Sequence, residues 1–115
     1  MILVYFLSFC CCLGGASSGY TQKGLATYYG QEFQGKKTAS GETFDMWAVT
    51  CAHKTLAFNT RLKVTNLKNK KTVIVRVNDR GPWVKGRIID LSFAAAKQID
   101  MIKDGIVEVK IEVVR

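Results

Sequence analysis

The side chains able to do chemistry in this sequence are carboxyls, one imidazole and one thiol. Asp79 and Asp90 lie in the run Val77-Asn-Asp-Arg-Gly-Pro-Trp-Val-Lys-Gly-Arg-Ile-Ile-Asp-Leu-Ser92, with Arg80 directly after the first acid and Arg87 just ahead of the second. Carboxyls held in a fixed place donate and accept protons in general acid–base catalysis. Glu42 follows Gly41 and precedes Phe44, where it reads either as a turn residue bonding its own backbone or as a placed catalytic acid. His53 is the only histidine and stands two positions after Cys51. A thiol on such spacing could share a strand face with a base, although a lone cysteine is more often a small buried apolar residue. One histidine and scattered acids do not make a ligand set, so no metal is expected, and no cofactor.

These groups need rigid elements to place them. Val73 to Val77 is an apolar strand that delivers Asn78, Asp79 and Arg80 into a Gly81-Pro82 turn, and Ile88-Ile89 delivers Asp90 just before a short helix. Polar groups at the ends of such elements are either working residues or members of a salt-bridged turn; for Asp79 the pattern supports both. Arg61 to Asn66 and Thr72 to Val77 alternate and read as a hairpin whose tip carries Lys68, Lys70 and Lys71. Ser92 is a good N-cap for a helix over Phe93 to Ile99, with Leu91, Ala95 and Ile99 toward the core. Val107 to Val113 alternates strictly, as a half-buried strand does. Gly24 to Gly30 reads as a first strand, and Met46 to Ala57 as a packed loop with a short strand or helical turn. The whole is mostly β.

The 115 residues divide into two parts. Met1 to Leu13 is almost wholly apolar, and with the small polar stretch Gly14 to Gly19 it reads as an export signal with a short tether, residues 1–19. Cys10, Cys11 or Cys12 offers a site for lipid attachment to a membrane, and a cut after Ala16 is the other processing route. Residues 20–115 form one small domain that carries all the charge, a net +8. A basic domain favours polyanions: nucleic acid, anionic lipid headgroups or acidic cell-wall polymer. Export sets nucleic acid aside, as does the lack of an aromatic stacking pattern. With one cysteine left, no internal disulfide forms.

Taken together, Gly24-Leu-Ala-Thr-Tyr-Tyr-Gly30, Thr38-Ala-Ser-Gly-Glu-Thr-Phe-Asp45, Ala52-His-Lys-Thr-Leu56, Val64-Thr-Asn66, Val77-Asn-Asp-Arg-Gly-Pro82 and Arg87-Ile-Ile-Asp-Leu-Ser92 resemble the rare lipoprotein A family. These are the RlpA-like septal-ring lytic transglycosylases of bacteria, and the resemblance runs from about Lys23 to Val114. It implies a small six-stranded double-psi β-barrel with one or two short helices, the fold of expansins and barwin-like proteins. It implies endolytic cleavage of peptidoglycan glycan strands between N-acetylmuramic acid and N-acetylglucosamine, ending in a 1,6-anhydro-muramyl product. Glu42, His53 and Asp79 match the family's groove residues. Ser40, Asn78, Arg80 and Asp90 match or adjoin further positions of the pattern. Lytic transglycosylation needs an acid for the glycosidic oxygen and a base for the muramyl C6 hydroxyl, and one carboxyl can serve both steps. On this reading Asp79 is the acid/base, Glu42 the neighbouring carboxylate and His53 the residue orienting one of them; Asp79 and Glu42 exchanged is the other assignment. Asp90 either contacts substrate or anchors the barrel through Arg80 or Arg87.

A second reading is a noncatalytic, expansin-like wall-binding barrel that uses Trp47, Trp83 and Tyr29 as sugar platforms. Either way the expected partner is peptidoglycan, the place is the bacterial periplasm or envelope, and the protein is a monomer. Cys51 stands where the family has alanine. The glycan-binding SPOR domain found in many members of the family is absent here, so the resemblance does not carry septal targeting over.

Overall fold

The computed structural model describes residues 17–114. The candidate lipidation sites Cys10, Cys11 and Cys12 and the cut after Ala16 lie outside the described residues.

Six strands close into a barrel: β1 (Ser17–Tyr29), β2 (Thr50–Ala52), β3 (Arg61–Asn66), β4 (Thr72–Asp79), β5 (Arg87–Ser92) and β6 (Val107–Val114). One helix, α1 (Phe93–Gln98), and a short 3-10 turn over Gln31–Phe33 complete the described elements. The order around the barrel is β1-β5-β2-β4-β3-β6. Two parallel pairs, β1 with β5 and β2 with β4, are set among antiparallel ones. β5 thus lies between β1 and β2, and β4 between β2 and β3, which requires the connections to cross. Closure leaves no unpaired sheet edge among these strands.

The alternation read from the sequence is the alternation of burial. β3 buries Leu62, Val64 and Asn66 and exposes Arg61 and Lys63; β6 buries Val107, Val109 and Ile111. With Val73, Val75, Val77, Ile89 and Leu91 these side chains fill the barrel. Asn66 is a fully buried polar residue on β3. Its amide nitrogen donates to the Ile99 carbonyl at 2.9 Å and its side-chain oxygen accepts from Lys68 N at 3.0 Å, so the β3–β4 hairpin tip is fastened to the end of α1.

Ser92 caps α1 by accepting from Ala95 N, and its hydroxyl donates to the Ala48 carbonyl at 2.6 Å. Ala95 and Ile99 pack into the core with Leu91, as the spacing predicts. Cys51 is fully buried in the same core, and burial, followed by the nearby Asp90 carboxylate, pushes its thiol well above the usual range. A thiol so held stays protonated and unreactive. One element differs from the sequence reading, and another, the short strand read within Met46 to Ala57, falls at Thr50–Ala52. β1 starts at Ser17, inside the stretch expected as a tether, because it gains a long antiparallel ladder with β6. β2 has no alternation to read, because all of Thr50, Cys51 and Ala52 are buried between two neighbouring strands.

Candidate active site

Three adjacent strands bring the two acids of the central run together. Ala52 on β2 is the register partner of Asp79 on β4 and of Asp90 on β5. The two acids therefore flank one alanine, two strand spacings or roughly 10 Å apart at the backbone. A small residue between them leaves open space, and Asp79, Asp90 and Ala52 line one cavity of about 230 Å³ with Tyr29, Arg80 and Lys36. That cavity runs into a more open groove of about 770 Å³ that shares Tyr29, Phe33, Arg80 and Asp90 with it and is edged by Trp83, Val84 and Ile106.

The acids sit in different surroundings. Asp79 Oδ1 accepts from the backbone N–H of Ala39 at 2.9 Å and of Arg80 at 2.8 Å. Gly81 directly beyond holds a φ of 121°, a conformation open to glycine, so the chain turns away and leaves the carboxyl at the barrel mouth. Asp90 Oδ1 accepts from the Thr27 hydroxyl, its register partner across β1 and β5. Burial raises the Asp90 pKa above the ordinary aspartate value, and the Asp79 charge adds to this; the Thr27 bond and the Arg87 charge oppose it. Asp90 is thus biased toward keeping a proton in a cavity where Asp79 is held as a hydrogen-bond acceptor.

Tyr29 forms the floor. Its ring stacks on Phe44 with centroids 4.7 Å apart at 18°, and Phe33 packs edge-on at 5.6 Å. One face of the expected sugar platform is therefore covered by Phe44. The Tyr29 hydroxyl is buried without a hydrogen-bond partner of good geometry, and burial first, then the Asp79 charge, pushes the phenol well above the usual range.

Of the remaining residues of the sequence reading, Arg80 lines the cavity, and Glu42, His53, Ser40, Asn78, Trp47 and Trp83 are placed outside it. Glu42 takes a bidentate bond from Arg76, Nη1 to Oε2 at 2.6 Å and Nη2 to Oε1 at 2.9 Å, and a third from Asn78 Nδ2 at 3.2 Å. The Arg76 bonds, then the Asn78 bond, hold its carboxyl below the usual range. His53 Nδ1 accepts from Thr55 N and Leu56 N, both at 3.1 Å, and Nε2 faces Gln22 Oε1 at 3.3 Å. Burial, then the Arg80 and Lys54 charges, lowers its pKa. Ser40 pairs with the Thr38 hydroxyl at 2.9 Å, and its N–H donates to the Asn78 carbonyl, fastening the 38–42 loop to β4. Arg80 Nη1 donates to the carbonyls of His53 and Leu56, and its guanidinium lies 4.1 Å from the Phe58 ring centroid. Trp83 is 74 % exposed at the groove edge, whereas Trp47, 63 % exposed, leans on Phe93.

Thr27 and Lys36 belong to the site and were missed by the sequence reading. Thr27 shares a strand face with Tyr29, a spacing of two that could have found it. Lys36 reads only as loop charge until the loop folds over the cavity. Among the described residues no cluster of His, Cys, Asp and Glu could hold a metal ion.

A closed, crossed six-stranded barrel with an acid-lined mouth defines this as a double-psi β-barrel protein. The chain belongs to the lytic transglycolase family, whose sequence profile matches residues 21–111, and carries its RlpA-like domain. It is 59 % identical over 96 residues to "Endolytic peptidoglycan transglycosylase RlpA" of Campylobacter jejuni subsp. jejuni, a match covering 84 % of this chain and 35 % of that protein. The chain spans about a third of the length of the curated relatives it matches. Among solved structures it is similar to Streptomyces papain inhibitor, with a TM-score of 0.68 at 25 % identity over 84 % of this chain and 96 % of that one. It is also similar to the apo expansin of Clavibacter michiganensis, with a TM-score of 0.66 at 27 % identity over 84 % of this chain and 51 % of that one.

Proposed function

We propose that this domain is an endolytic peptidoglycan lytic transglycosylase, cutting the bond between N-acetylmuramic acid and N-acetylglucosamine to leave a 1,6-anhydro-muramyl end. The observation that carries the reading is the pair Asp79 and Asp90 on either side of Ala52 in one cavity, with Asp90 biased toward the protonated form. The name and extent of the family relatives supply the reaction class.

In this scheme the glycan lies along the open groove, with Trp83 beneath a sugar at its edge. Asp90 gives its proton to the glycosidic oxygen as the bond to muramyl C1 breaks. Asp79, anchored through Oδ1 by two backbone N–H groups, faces the positive charge that builds at C1. Asp90, now a carboxylate, takes the proton of the muramyl C6 hydroxyl as its oxygen closes on C1. Asp90's first proton leaves on the freed N-acetylglucosamine hydroxyl and the C6 proton replaces it, so Asp90 ends protonated as it began, no water is consumed, and a single proton-carrying acid suffices. Glu42, ionised by Arg76, orders the 38–42 loop that gives Asp79 its Ala39 N–H. Such a protein acts in the bacterial envelope, reached through the export segment and, where a cysteine of 10–12 is lipidated, held at a membrane.

The expansin likeness and the exposed Trp83 favour a second reading, a barrel that grips wall glycan without cutting it. One experiment separates them: incubation with purified peptidoglycan, with and without stem peptides, followed by mass spectrometry. Anhydro-muramyl ends are expected. Binding without such ends would leave the gripping reading standing and the enzyme reading not.

A further inference from the structure

His53 belongs to the residue set that the family pattern brings to the groove, yet the residue is only 3 % exposed and lines neither cavity. Two backbone donors, Thr55 N–H and Leu56 N–H, converge on Nδ1 at 3.1 Å each. A nitrogen that receives two N–H bonds must present its lone pair, so the ring proton sits on Nε2 and points at Gln22 Oε1. Gln22 Oε1 also accepts from the Tyr20 hydroxyl at 2.9 Å. Both ring nitrogens are thereby engaged within the protein.

The turn that Nδ1 caps has a second set of contacts. The carbonyls at its two ends, His53 O and Leu56 O, accept from one and the same donor, Arg80 Nη1, at 3.1 and 2.8 Å. The His53 N–H donates to the Asp79 carbonyl at 3.2 Å. With Phe58 under the guanidinium, Arg80 is fixed on one side, and it lines both the cavity and the groove. Nη1 is used by the turn, which leaves Nη2 and Nε as the donors available to a ligand. Without the cap, the Thr55 and Leu56 N–H groups lose their acceptor and the spacing of the two carbonyls is no longer set.

We propose that His53 is a positioning residue: an uncharged, accepting cap on the 53–56 turn that sets Arg80 in the groove, passing no proton to or from the glycan. The inference rests on the transglycosylase reading for its kinetic test alone. Asparagine discriminates the roles, because its Oδ1 stands the same number of bonds from Cβ as Nδ1 and can accept the same N–H groups, but it cannot titrate.

The test measures kcat and KM on purified peptidoglycan for the full chain and for His53→Asn, His53→Phe, Arg80→Ala and the double variant His53→Phe with Arg80→Ala. His53→Asn is expected within about threefold of the parent, with the same pH profile over about pH 5 to 8. His53→Phe should lose about tenfold or more, chiefly in KM, the effect of losing a net hydrogen bond or two. The double variant should be no worse than Arg80→Ala, since the two changes act through one group. A folded His53→Asn as inactive as His53→Phe, or losses that multiply, would overturn the proposal. So would ¹⁵N shifts that place the ring proton on Nδ1 in the parent. If the parent itself leaves no anhydro-muramyl ends, the enzyme reading fails. The tautomer, together with exchange of the Arg80 guanidinium protons that is faster in His53→Phe but parent-like in His53→Asn, then decides the positioning role: unchanged exchange in His53→Phe overturns it.

Discussion

Arg76 grips Glu42 by both carboxylate oxygens, and the two side chains stay little more than a third exposed, at 38 % and 39 %. Such fork-to-fork pairing favours the ionised form and is screened only in part by solvent. A glutamate whose folded pKa lies below its ordinary 4.5 contributes stability that is complete above that value. The contribution is lost as pH falls through the folded pKa. Glu42→Gln should therefore melt lower than the parent by a constant interval at neutral pH, and the interval should close as pH drops below about 4.5. Thermal melts across pH check this. An interval that persists in strong acid would mean the loss is one of packing rather than charge.

Asp90 carries the opposite sign. Its pKa is raised by burial, so between the ordinary 3.8 and its folded value the native state holds a proton that the unfolded chain has released. Stability falls as pH rises through that window, and above it Asp90 is a net cost. Asp90→Asn keeps an acceptor for the Thr27 hydroxyl and removes the charge. It is expected to abolish release of anhydro-muramyl ends while melting higher than the parent at pH 7, the difference vanishing below about pH 3.8. Parent activity should fall on the alkaline side of the same window. An active Asp90→Asn would move the proton-carrying role to Asp79.

How far the sequence carried this far depends on which contacts are local. β3, β4 and β6 announce themselves because alternate residues meet core and solvent, and Ser92 announces α1 because capping is a matter of a few residues. The pairing of Asp79 with Asp90 across Ala52 is different in kind. It comes from β2 being inserted between β5 and β4, a long-range closure with no local signature. The resemblance named Glu42, His53, Asp79 and Asp90 alike; the register sets Asp79 and Asp90 in one cavity and Thr27 beside Asp90, while Glu42 and His53 lie outside that cavity. What set them apart was invisible in one dimension: Arg76 reaching Glu42, and a backbone turn reaching His53 Nδ1.

Trp83 stands at the groove edge with most of its surface in solvent, so it contributes little to the fold. Trp83→Ala should change stability by no more than about 0.5 kcal/mol. It should raise KM for glycan about tenfold, as loss of roughly 1.4 kcal/mol of stacking would, with kcat nearly unchanged. Steady-state kinetics together with a denaturant titration check both halves. A loss confined to kcat would place Trp83 nearer the reacting bond than its position suggests.

Gly24 on β1 faces Ile88 of β5 with no room for a side chain. A Cβ added there would lie 2.6 Å from the Cγ2 methyl of the buried Ile88, with Cγ1 and Cδ1 of the same side chain at 3.2 and 3.3 Å. Gly24→Ala should destabilise the barrel by about 1–3 kcal/mol, the usual cost of overpacking a filled site. Denaturant unfolding measures it, and Gly24→Ala combined with Ile88→Ala should lose less than the sum of the single losses, because removing the Ile88 methyls relieves the clash. Independent, additive losses would show that the two strands can move apart at this point.

The ladder between β1 and β6 joins the two ends of the described chain, and β1 also carries Thr27 and Tyr29. Contacts between segments so distant in sequence form late, because the loop they close is nearly the whole domain. During synthesis the first strand therefore has no partner on one side until the last has been made. The part of the mouth that β1 supplies, Thr27 and Tyr29, therefore hangs on a strand whose other edge is held by the last one, and damage to β6 reaches the site through that shared strand.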